Sequence, residues 1–452
     1  MKKKKFTLST TWIIMLSFLA VIFIGSILLS MPISTADGKG VSYIDALFTA
    51  TTATCVTGLV TLPTVSTWSV FGQVVLLILI QVGGLGVITV VSGFMIAVHK
   101  RIGLSDRLLI QDAFNLNSLS GIVRFVRKVI AGTFIVEGIG ALLYMTVFVP
   151  EFGAKGIWIS VFNSVSAFCN AGIDIIAENS LCNYMTNPVI NFTTMLLIVL
   201  GGLGYIVWWD VIRVSKQIKK FGTGTFKRLT LHSKIALWAT FIFILGGAVL
   251  IFVFESDNPL TVGENTLFEK LQFSLFQSVT TRTAGFATVP QENLTNGAAF
   301  VSLVLMFIGG SPVGTAGGIK TVTVAVIFAA ALSTIRNQDE TELFNRTLPK
   351  KAVSKAVSVC GMSFVIMLCS TLLLSLVSDA SALDIIYETV SATATVGLTR
   401  NLTAALPFWG KLIITGTMYL GRIGPISLAF AFGTRKQNRN IIKNPIEEIS
   451  VG

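Results

Sequence analysis

Four short segments of the chain share a pattern of small and polar residues that ends in a glycine and one apolar residue. They read FTATTATCVTGL at 48–59, FNSVSAFCNAGI at 162–173, FQSVTTRTAGF at 276–286 and YETVSATATVGL at 387–398. Their glycines, spaced by 114, 113 and 112 residues, are Gly58, Gly172, Gly285 and Gly397. Glycine allows backbone conformations that turn carbonyl oxygens to one side, and rings of such oxygens replace the hydration shell of a cation. These segments therefore predict cation coordination by backbone carbonyls.

Each of the four glycines lies just after an amphipathic stretch. These stretches are shorter than the roughly 20 residues needed to cross a bilayer. The stretches cover 43–55, 156–169, 266–281 and 383–395. We read them as re-entrant half-helices, whose C-terminal ends carry roughly half a negative charge and favour a cation. Taken singly, each glycine fits a helix cap or a close helix contact. Four at matched positions instead predict backbone that lines a water-filled path, which is how irregular backbone is tolerated at membrane depth.

The composition excludes a soluble globular protein. Of the 452 residues 53% are hydrophobic and only 12% are charged, against about 25% charged in soluble domains. Apolar runs of spanning length occupy 12–31, 70–98, 189–209 and 235–254. The first run follows MKKKK, but it has spanning length and no convincing cleavage site follows it, so we read it as a membrane span. The chain is therefore a polytopic membrane protein.

Charge divides the chain into two kinds of segment. Basic segments at 1–10, 99–128, 210–234, 335–355 and 434–452 hold 26 of the 34 Lys and Arg and eight acids. The alternating segments hold thirteen acids and five basic residues. By the positive-inside rule the basic segments, including both termini, are cytoplasmic, which requires an even number of crossings. The same distribution makes nucleic-acid binding a poor interpretation of the positive net charge.

These patterns predict an all-α polytopic membrane protein of four parallel repeats, each a span, a re-entrant half-helix and a second span. The repeats surround a pseudo-fourfold central pore and make eight full crossings. Their predicted bounds are 1–98, 129–212, 235–334 and 352–433, with cytoplasmic loops at 99–128, 213–234 and 335–351 and a cytoplasmic tail at 434–452.

The second span of the third repeat is interrupted by glycine. Five glycines and Pro312 lie within ten residues, a composition that no continuous helix survives. We predict an intramembrane loop over 309–321 that blocks ion flow beneath the glycines; the alternative is a static kink or a packing element. The GGLG motifs at 83–86 and 201–204 permit bending or close helix contact, and we favour contact.

Charged residues inside the apolar spans need polar surroundings. We predict that Arg422 forms an electrostatic barrier near the loop, or else a salt bridge that only holds the fold. Lys320 either contacts the gate or extends to the inner interface. Arg282, inside the third glycine segment, is expected to pair behind it with an outer acid such as Glu388 or Asp384. Glu137 is read as a bonded interior residue in preference to a functional ionisable site.

Acidic residues near the glycine segments either raise the local cation concentration or are ordinary loop and capping residues. They are Asp45, Asp174, Glu178, Asp384 and Glu388. The cysteines are scattered without ligand spacing, so no zinc site or disulfide framework is indicated.

The sequence resembles the Trk/Ktr/HKT superfamily of potassium transporters, and most of all its KtrB-type membrane subunits. The specific parts are TTRTAGF at 280–286, GGSPVGTAGGIKT at 309–321 and GRIGP at 421–425. The resemblance implies a selectivity filter, with K⁺ at carbonyls near the four glycines, formed by Thr54, Cys55, Val56, Thr57, Gly58, Phe168, Cys169, Asn170, Ala171, Gly172, Thr281, Arg282, Thr283, Ala284, Gly285, Ala394, Thr395, Val396 and Gly397. It implies a gate formed by Gly309, Gly310, Ser311, Pro312, Gly314, Thr315, Gly317, Gly318, Lys320 and Arg422.

The resemblance also implies potassium uptake, often with sodium dependence, across a cell membrane that is expected to be bacterial. The partners it implies are a second copy of the chain, joined partly through the tail at 444–452, and a cytosolic KtrA-like ring of nucleotide-binding RCK subunits. We expect no cofactor in this chain, because it lacks a nucleotide loop. The basic stretches at 100–128 and 213–234 fit lipid headgroups or an acidic regulator equally.

Three other functions are alternatives to potassium transport. A sodium or ammonium transporter on the same scaffold differs only in the ion, and channel and symport mechanisms both stay open. An intramembrane enzyme needs histidine or paired aspartates inside spans, whereas His99 and His232 lie in predicted cytoplasmic loops. A receptor or scaffold gives no reason for four half-helices that end in glycine.

Overall fold

The computed structural model describes residues 10–98, 102–113, 120–217 and 222–424, which are almost entirely helical. We use the names repeat, half-helix and span for the regions that the sequence predicts as such. The predicted first repeat contains α1 (Thr10–Ser30), α2 (Tyr43–Cys55), α3 (Thr64–Thr67), α4 (Val70–Leu85) and α5 (Val87–Ala97). After α6 (Leu104–Ala113), the second contains α7 (Ile122–Phe152), α8 (Ala154–Cys169), α9 (Pro188–Leu203) and α10 (Tyr205–Ser215).

The second half of the chain repeats this order of helices. The third repeat contains α11 (Leu231–Glu255), α12 (Leu267–Thr280), α13 (Asn296–Phe307) and α14 (Thr321–Ile335). A hairpin of two short strands, β1 (Glu342–Leu343) and β2 (Arg346–Thr347), precedes α15 (Lys350–Ser375), α16 (Ala382–Ala394), α17 (Leu402–Ala405) and α18 (Phe408–Ile423). Short 3₁₀ helices occur at Pro32–Ser34, Cys182–Tyr184, Gly222–Arg228 and Gln291–Asn293.

Four helices are long and apolar enough to span a membrane: α1, α7, α11 and α15. Two bent pairs, α4 with α5 and α9 with α10, raise the number of candidate spans in the described residues to six. The bends are 99° and 96°, so the runs predicted as spans at 70–98 and 189–209 are not straight helices.

Three of the four half-helices begin at a capping side chain, whereas α8 follows Gly153, which has none. Ser42 accepts the Asp45 N–H at the start of α2, and Ser381 accepts the Asp384 N–H at the start of α16. Thr266 and Glu269 form a reciprocal capping box at the start of α12. Such side chains satisfy amides of the first turn that have no partner within a helix. Local sequence therefore fixes where these half-helices begin.

Each half-helix packs against the second span of the preceding repeat as well as against its own repeat. α8 contacts α4, α12 contacts α9, α16 contacts α13, and α2 contacts α18. The last contact joins the first repeat to the fourth, so the packing closes into a ring. A salt bridge of 2.6 Å between Lys411 on α18 and Asp45 on α2 spans the same junction.

Many polar side chains are buried and many large apolar side chains are exposed, which is the reverse of the distribution in a soluble protein. In α2 the hydroxyl residues Thr49, Thr51, Thr52 and Thr54 are all buried. In α7, by contrast, Phe134 is 60% exposed and continues an apolar outer surface. A polar interior within an apolar exterior is the arrangement expected where lipid surrounds a protein that encloses a polar path.

Candidate functional site

The four glycines predicted as filter residues meet at the centre of the ring of half-helices. A Cβ atom added to Gly58 would lie 2.6 Å from the carbonyl oxygen of Ala171. In the same way, Gly172 faces the carbonyl of Ala284, Gly285 that of Val396 and Gly397 that of Thr57. Each carbonyl belongs to the residue just before the next glycine, so four carbonyls and four glycines alternate in a closed circuit. Any side chain at these glycines would displace the neighbouring carbonyl.

The residue two positions before each glycine adopts a left-handed conformation. These residues are Val56, Asn170, Thr283 and Thr395, with φ of 56°, 59°, 67° and 52°. β-branched residues rarely adopt positive φ, and such strain costs about 1–3 kcal/mol per residue. Because backbone strain of this kind concentrates at functional sites, the conformation marks the four segments independently of their sequence motif.

Hydroxyl groups hold three of the four segments in this shape. Thr52 Oγ1 accepts the Gly58 N–H at 2.9 Å, and Ser391 Oγ accepts the Gly397 N–H at 3.0 Å. Ser166 Oγ accepts the Ile173 N–H at 3.1 Å. The third segment has Val279 at the equivalent position, and there Thr280 donates to the Phe286 carbonyl instead. Sequence analysis missed these residues, although the signal is present as a hydroxyl six positions before the glycine in three copies.

The chain is not helical between α13 and α14. The two ends of this loop meet, because the Gly309 N–H donates to the Ile319 carbonyl at 2.9 Å and the Ile319 N–H donates to the Phe307 carbonyl at 3.2 Å. We call residues 308–320 the intramembrane loop. We call this short parallel bridge between Ile308 and Ile319 the neck of the loop. The residues between them form the rest of the loop.

The intramembrane loop lies directly against the glycine segments. The Thr315 hydroxyl contacts the Phe168 carbonyl at 3.0 Å and Asn170 Oδ1 at 2.9 Å. The Gly317 N–H donates to Thr283 Oγ1 at 3.2 Å. A side chain on Gly317 would meet Thr395. The loop therefore touches the second, third and fourth segments at once.

Two basic side chains bind carbonyls of this loop and of a neighbouring span. Arg422 Nη1 donates to the Thr315 carbonyl at 2.6 Å, and its other terminal nitrogen donates to the Gly83 carbonyl. Lys320 Nζ donates to the Ala316 carbonyl at 2.6 Å, so it turns back into the loop and does not extend to the interface. No salt bridge of the described residues includes Arg422, which argues against the salt-bridge alternative.

A family model described as TrkH, cation transport protein, matches residues 3–441. The chain belongs to the TrkH family. It is 35% identical over 457 residues to the potassium/sodium uptake protein NtpJ of Enterococcus hirae, covering 100% of this chain and 99% of that protein. It is 36% identical over 441 residues to the Ktr system potassium uptake protein B of Bacillus subtilis, covering 97% and 96%.

Solved structures support the same fold. The crystal structure of the potassium transporter TrkH from Vibrio parahaemolyticus superposes with a TM-score of 0.76 at 14% identity, covering 95% of this chain and 86% of that one. This TrkH-family chain is thus a membrane cation transporter and not an enzyme, and the resemblance seen in its motifs is confirmed.

The segments of this TrkH-family chain that we predicted as the filter are deeply buried. Most of their residues are at most 1% exposed: Thr54, Cys55, Val56, Thr57, Phe168, Cys169, Asn170, Ala171, Thr281, Thr283, Ala284, Ala394, Thr395 and Val396. The hydroxyls of Thr54, Thr57 and Thr395 are buried without a hydrogen-bond partner in the described part of the chain.

The predicted pairing of Arg282 with an outer acid is wrong. The Arg282 side chain is buried. Within the described residues its guanidinium makes one hydrogen bond, from Nη2 to the Thr240 hydroxyl on α11, at 3.4 Å. Asp384 instead binds Arg400 at 2.8 Å, and Glu388 accepts the Thr399 hydroxyl at 2.6 Å. Arg282 leaves the glycine segment toward α11, whereas both acids face groups of their own repeat.

Glu137 lies inside the protein next to the second glycine segment. It is 4% exposed, and its Oε1 lies 3.9 Å from the thiol sulfur of Cys169 at the end of α8. Glu137 is thus an interior residue, but its Oε2 is buried without a hydrogen-bond partner in the described part of the chain. A role as an ionisable site stays a prediction.

The outer acids are engaged by protein groups. Asp45 binds Lys411, and Glu178 accepts the Ser66 hydroxyl at 3.0 Å. Burial raises the pKa of Asp174, two residues after Gly172, to about 6, although hydrogen bonds from Ser180 and nearby amides oppose the shift. Helix start and loop contacts thus explain most of these acids without an ion.

The described residues leave out several predicted features. His99, Pro425 of the GRIGP motif, the cytoplasmic tail 434–452 and its proposed dimer contact at 444–452 lie outside them. His232 is within them, in the first turn of α11.

Proposed function

We propose that this chain is the ion-conducting subunit of a potassium uptake system and that the four glycine segments are its selectivity filter. The observation that carries the proposal is the closed circuit in which each glycine faces the carbonyl before the next. Such a circuit offers four oxygens to one cation and removes its water without a charged side chain. The negative ends of four half-helices add to the attraction.

The architecture that we propose for this function has four repeats around a pseudo-fourfold pore and eight crossings. The long helices α1, α7, α11 and α15 are the first spans. The second spans are α4 with α5, α9 with α10, α13 with α14 across the intramembrane loop, and α18. The ring of contacts between half-helices and preceding second spans supports this arrangement. Both termini are then cytoplasmic.

Potassium is the proposed ion because two relatives are named for its uptake. The Bacillus subtilis relative is a potassium uptake protein, and the Enterococcus hirae relative is a potassium/sodium uptake protein. The second name also supports the alternative that the chain carries sodium or another monovalent cation, alone or together with potassium. Buried threonine hydroxyls along the segments supply further neutral ligands for either ion.

We propose that the intramembrane loop is the gate. It lies against three filter segments and is held by Arg422, so ions that leave the filter meet it next. Opening requires the loop to leave its bonds to Thr283, Asn170 and Arg422. The name of the Bacillus subtilis relative, a Ktr system protein, implies a system of more than one component. The further components that we propose, from the family resemblance, are a second copy of this chain and a cytosolic nucleotide-binding RCK ring.

Growth of cells without their own potassium uptake systems tests the proposal. The intact chain, supplied with its cytosolic partner, is expected to restore growth at low potassium. Gly397→Ser should lose the preference for potassium over sodium, because Gly397 has a φ of 101° and faces the Thr57 carbonyl. Gly416→Ala in the same repeat is the control, since nothing lies within 4 Å of an added Cβ there.

Two results would overturn the proposal. One is absence of potassium uptake by the intact chain when its presence in the membrane and its partner are both verified. The other is a Gly397→Ser chain whose ratio of potassium to sodium uptake equals that of the Gly416→Ala control.

A further inference from the structure

A cavity of about 320 Å³ lies where α6 meets the start of α7, away from the filter and the intramembrane loop. Its lining comes from α6 and from the first turns of α7 and consists of Arg107, Gly121, Ile122, Val123, Arg124 and Arg127. Three guanidinium groups thus border one space. Guanidinium groups bind phosphate oxygens through paired hydrogen bonds, so the lining has the chemistry of an anion site.

Within the described residues, no salt bridge joins an acid to any of these arginines. Asp106, next to Arg107 in the chain, accepts the Gly103 N–H at 3.0 Å, and Asp112 accepts the Thr10 hydroxyl. The sequence has no Asp or Glu between Asp112 and Glu137, so the neighbouring chain cannot supply a counter-charge. Within the described part of the chain, no ion pair therefore balances the positive charge of the cavity.

The start of α7 adds to this positive potential. The helix follows Gly121, which has no side chain to cap the first-turn amides. A helix N-terminus carries roughly half a positive charge, and cations are unfavourable there. Arg124 and Arg127 are three residues apart, so they also lie on one face and repel each other. An anion bound among these groups would be attracted to each of them and would offset their mutual repulsion.

The position of the cavity favours a lipid headgroup over a soluble anion. α7 has 31 residues, about 46 Å at 1.5 Å per residue, against about 30 Å of hydrocarbon. Its first turns therefore extend to the headgroup level. Large apolar side chains are exposed on both helices, with Leu104 of α6 at 68% and Ile135 of α7 at 62%. Acyl chains can cover these side chains while a phosphate occupies the cavity.

We propose that this cavity binds the phosphate headgroup of an anionic phospholipid of the inner leaflet, through Arg107, Arg124, Arg127 and the free amides at the start of α7. The lipid joins α6 to α7, which also packs on the half-helix α8. This site goes beyond the proposed function, since it requires only that the basic segments face the cytoplasm. Its occupancy is measured without any ion transport.

Thermal unfolding of the purified full-length chain in detergent tests the site. Phosphatidylglycerol is expected to raise the unfolding temperature in a saturable way, whereas phosphatidylcholine and inorganic phosphate at equal concentration are not. The double variant Arg124→Gln, Arg127→Gln should need at least about tenfold more phosphatidylglycerol for the same rise in unfolding temperature, because it loses charge-assisted bonds to phosphate. Arg336→Gln with Arg346→Gln removes two exposed arginines elsewhere and should respond as the unchanged chain does.

The outcomes separate the sources of the anion. If inorganic phosphate reproduces the shift, the site binds a soluble anion and the lipid assignment is wrong. If the double variant responds to phosphatidylglycerol as the control does, the cavity is not the lipid site. If the double variant keeps the lipid response but no longer binds a cytosolic regulatory subunit, the cavity is a docking site for protein and not for lipid. Should the double variant fail to fold, Arg107→Gln tests the same cavity from α6, and an unchanged response there overturns the proposal.

Discussion

The predicted second span of the third repeat differs from the other predicted second spans at the matching position. In the first, second and fourth repeats one glycine packs on a carbonyl near the end of a half-helix, and a glycine three residues later has a φ near 85°. The packing pairs are Gly83 with Thr54, Gly201 with Phe168 and Gly421 with Thr393. The later glycines are Gly86, Gly204 and Gly424, with φ of 83°, 86° and 84°. The third repeat has the intramembrane loop instead.

This difference separates a fixed bend from a movable element. At Gly86 and Gly204 one left-handed residue redirects a helix that restarts immediately, so little is free to move. The intramembrane loop is held by individual hydrogen bonds to neighbouring repeats and by Arg422. Bonds of this kind can be exchanged for water singly, which supports our proposal that the path below the proposed filter opens at the third repeat.

The largest change in potassium uptake is expected from a substitution in the proposed filter. Gly285→Ala places a Cβ 2.5 Å from the Val396 carbonyl oxygen and forces a φ of 81° on alanine. We expect potassium uptake to fall by about a hundredfold or more, the equivalent of roughly 3 kcal/mol. Gly246→Ala on α11 of the same repeat, where nothing lies within 4 Å, should leave uptake unchanged. Equal uptake by the two variants would mean that the circuit of carbonyls does not bind the ion.

The next effect is on the loop. Arg422→Gln removes bonds to the Thr315 and Gly83 carbonyls, and bonds from charged groups contribute about 1.5–3 kcal/mol each. Potassium flux should rise about tenfold while the preference over sodium is unchanged. Arg422→Lys keeps the charge with fewer bonds and should give an intermediate flux. A flux equal to that of the unchanged chain in Arg422→Lys would favour a purely electrostatic barrier.

A smaller effect is expected where the four filter segments differ among themselves. Thr52→Val removes the acceptor of the Gly58 N–H, a loss of about 0.5–1.5 kcal/mol. The ratio of potassium to sodium uptake should fall about three- to tenfold. Val279→Thr, at the matching position of the third repeat, should change little, because the Gly285 N–H already donates to the Thr280 carbonyl. Competition uptake with both ions measures the two variants.

The smallest effect on transport belongs to the fixed bends. Gly86→Ala has space for its Cβ, with the nearest atom 3.9 Å away, but a φ of 83° strains alanine. The strain costs about 1–3 kcal/mol, so the unfolding temperature should fall while uptake per folded molecule is retained. Gly138→Ala, in the open middle of α7, is the control and should be as stable as the unchanged chain. Increased flux in Gly86→Ala would show that a bend also gates.

Much of this organisation is predictable from sequence because it is local or periodic. The half-helix predicted at 43–55 coincides with α2, whose start is fixed by Ser42 and whose end is fixed by the left-handed Val56. The nearly equal spacing of the four glycines predicts four matched segments, and each has a residue of positive φ two positions before its glycine. Glycine and proline content likewise anticipates the break after Phe307.

Tertiary partners are the part that sequence does not give. Arg422 binds two carbonyls that are 107 and 339 residues away in the chain, and a carbonyl carries no residue-type signal. The sequence predicts an acid as the partner of Arg282 because it offers no cue other than charge complementarity, whereas the side chain contacts an uncharged hydroxyl on α11. The bends at Gly86 and Gly204 read as packing motifs because the same GGLG motif serves both purposes.

The most direct test is flux through the chain with its intramembrane loop shortened. Residues 311–317 are replaced by two glycines, which keeps the neck bonds of Gly309 and Ile319. Purified protein of unchanged unfolding temperature is placed in liposomes, and potassium and sodium fluxes are compared with those of the intact chain. We predict a potassium flux about tenfold higher or more, with the same preference over sodium. An unchanged or lower potassium flux, or a lost preference, would contradict the separation of filter and gate.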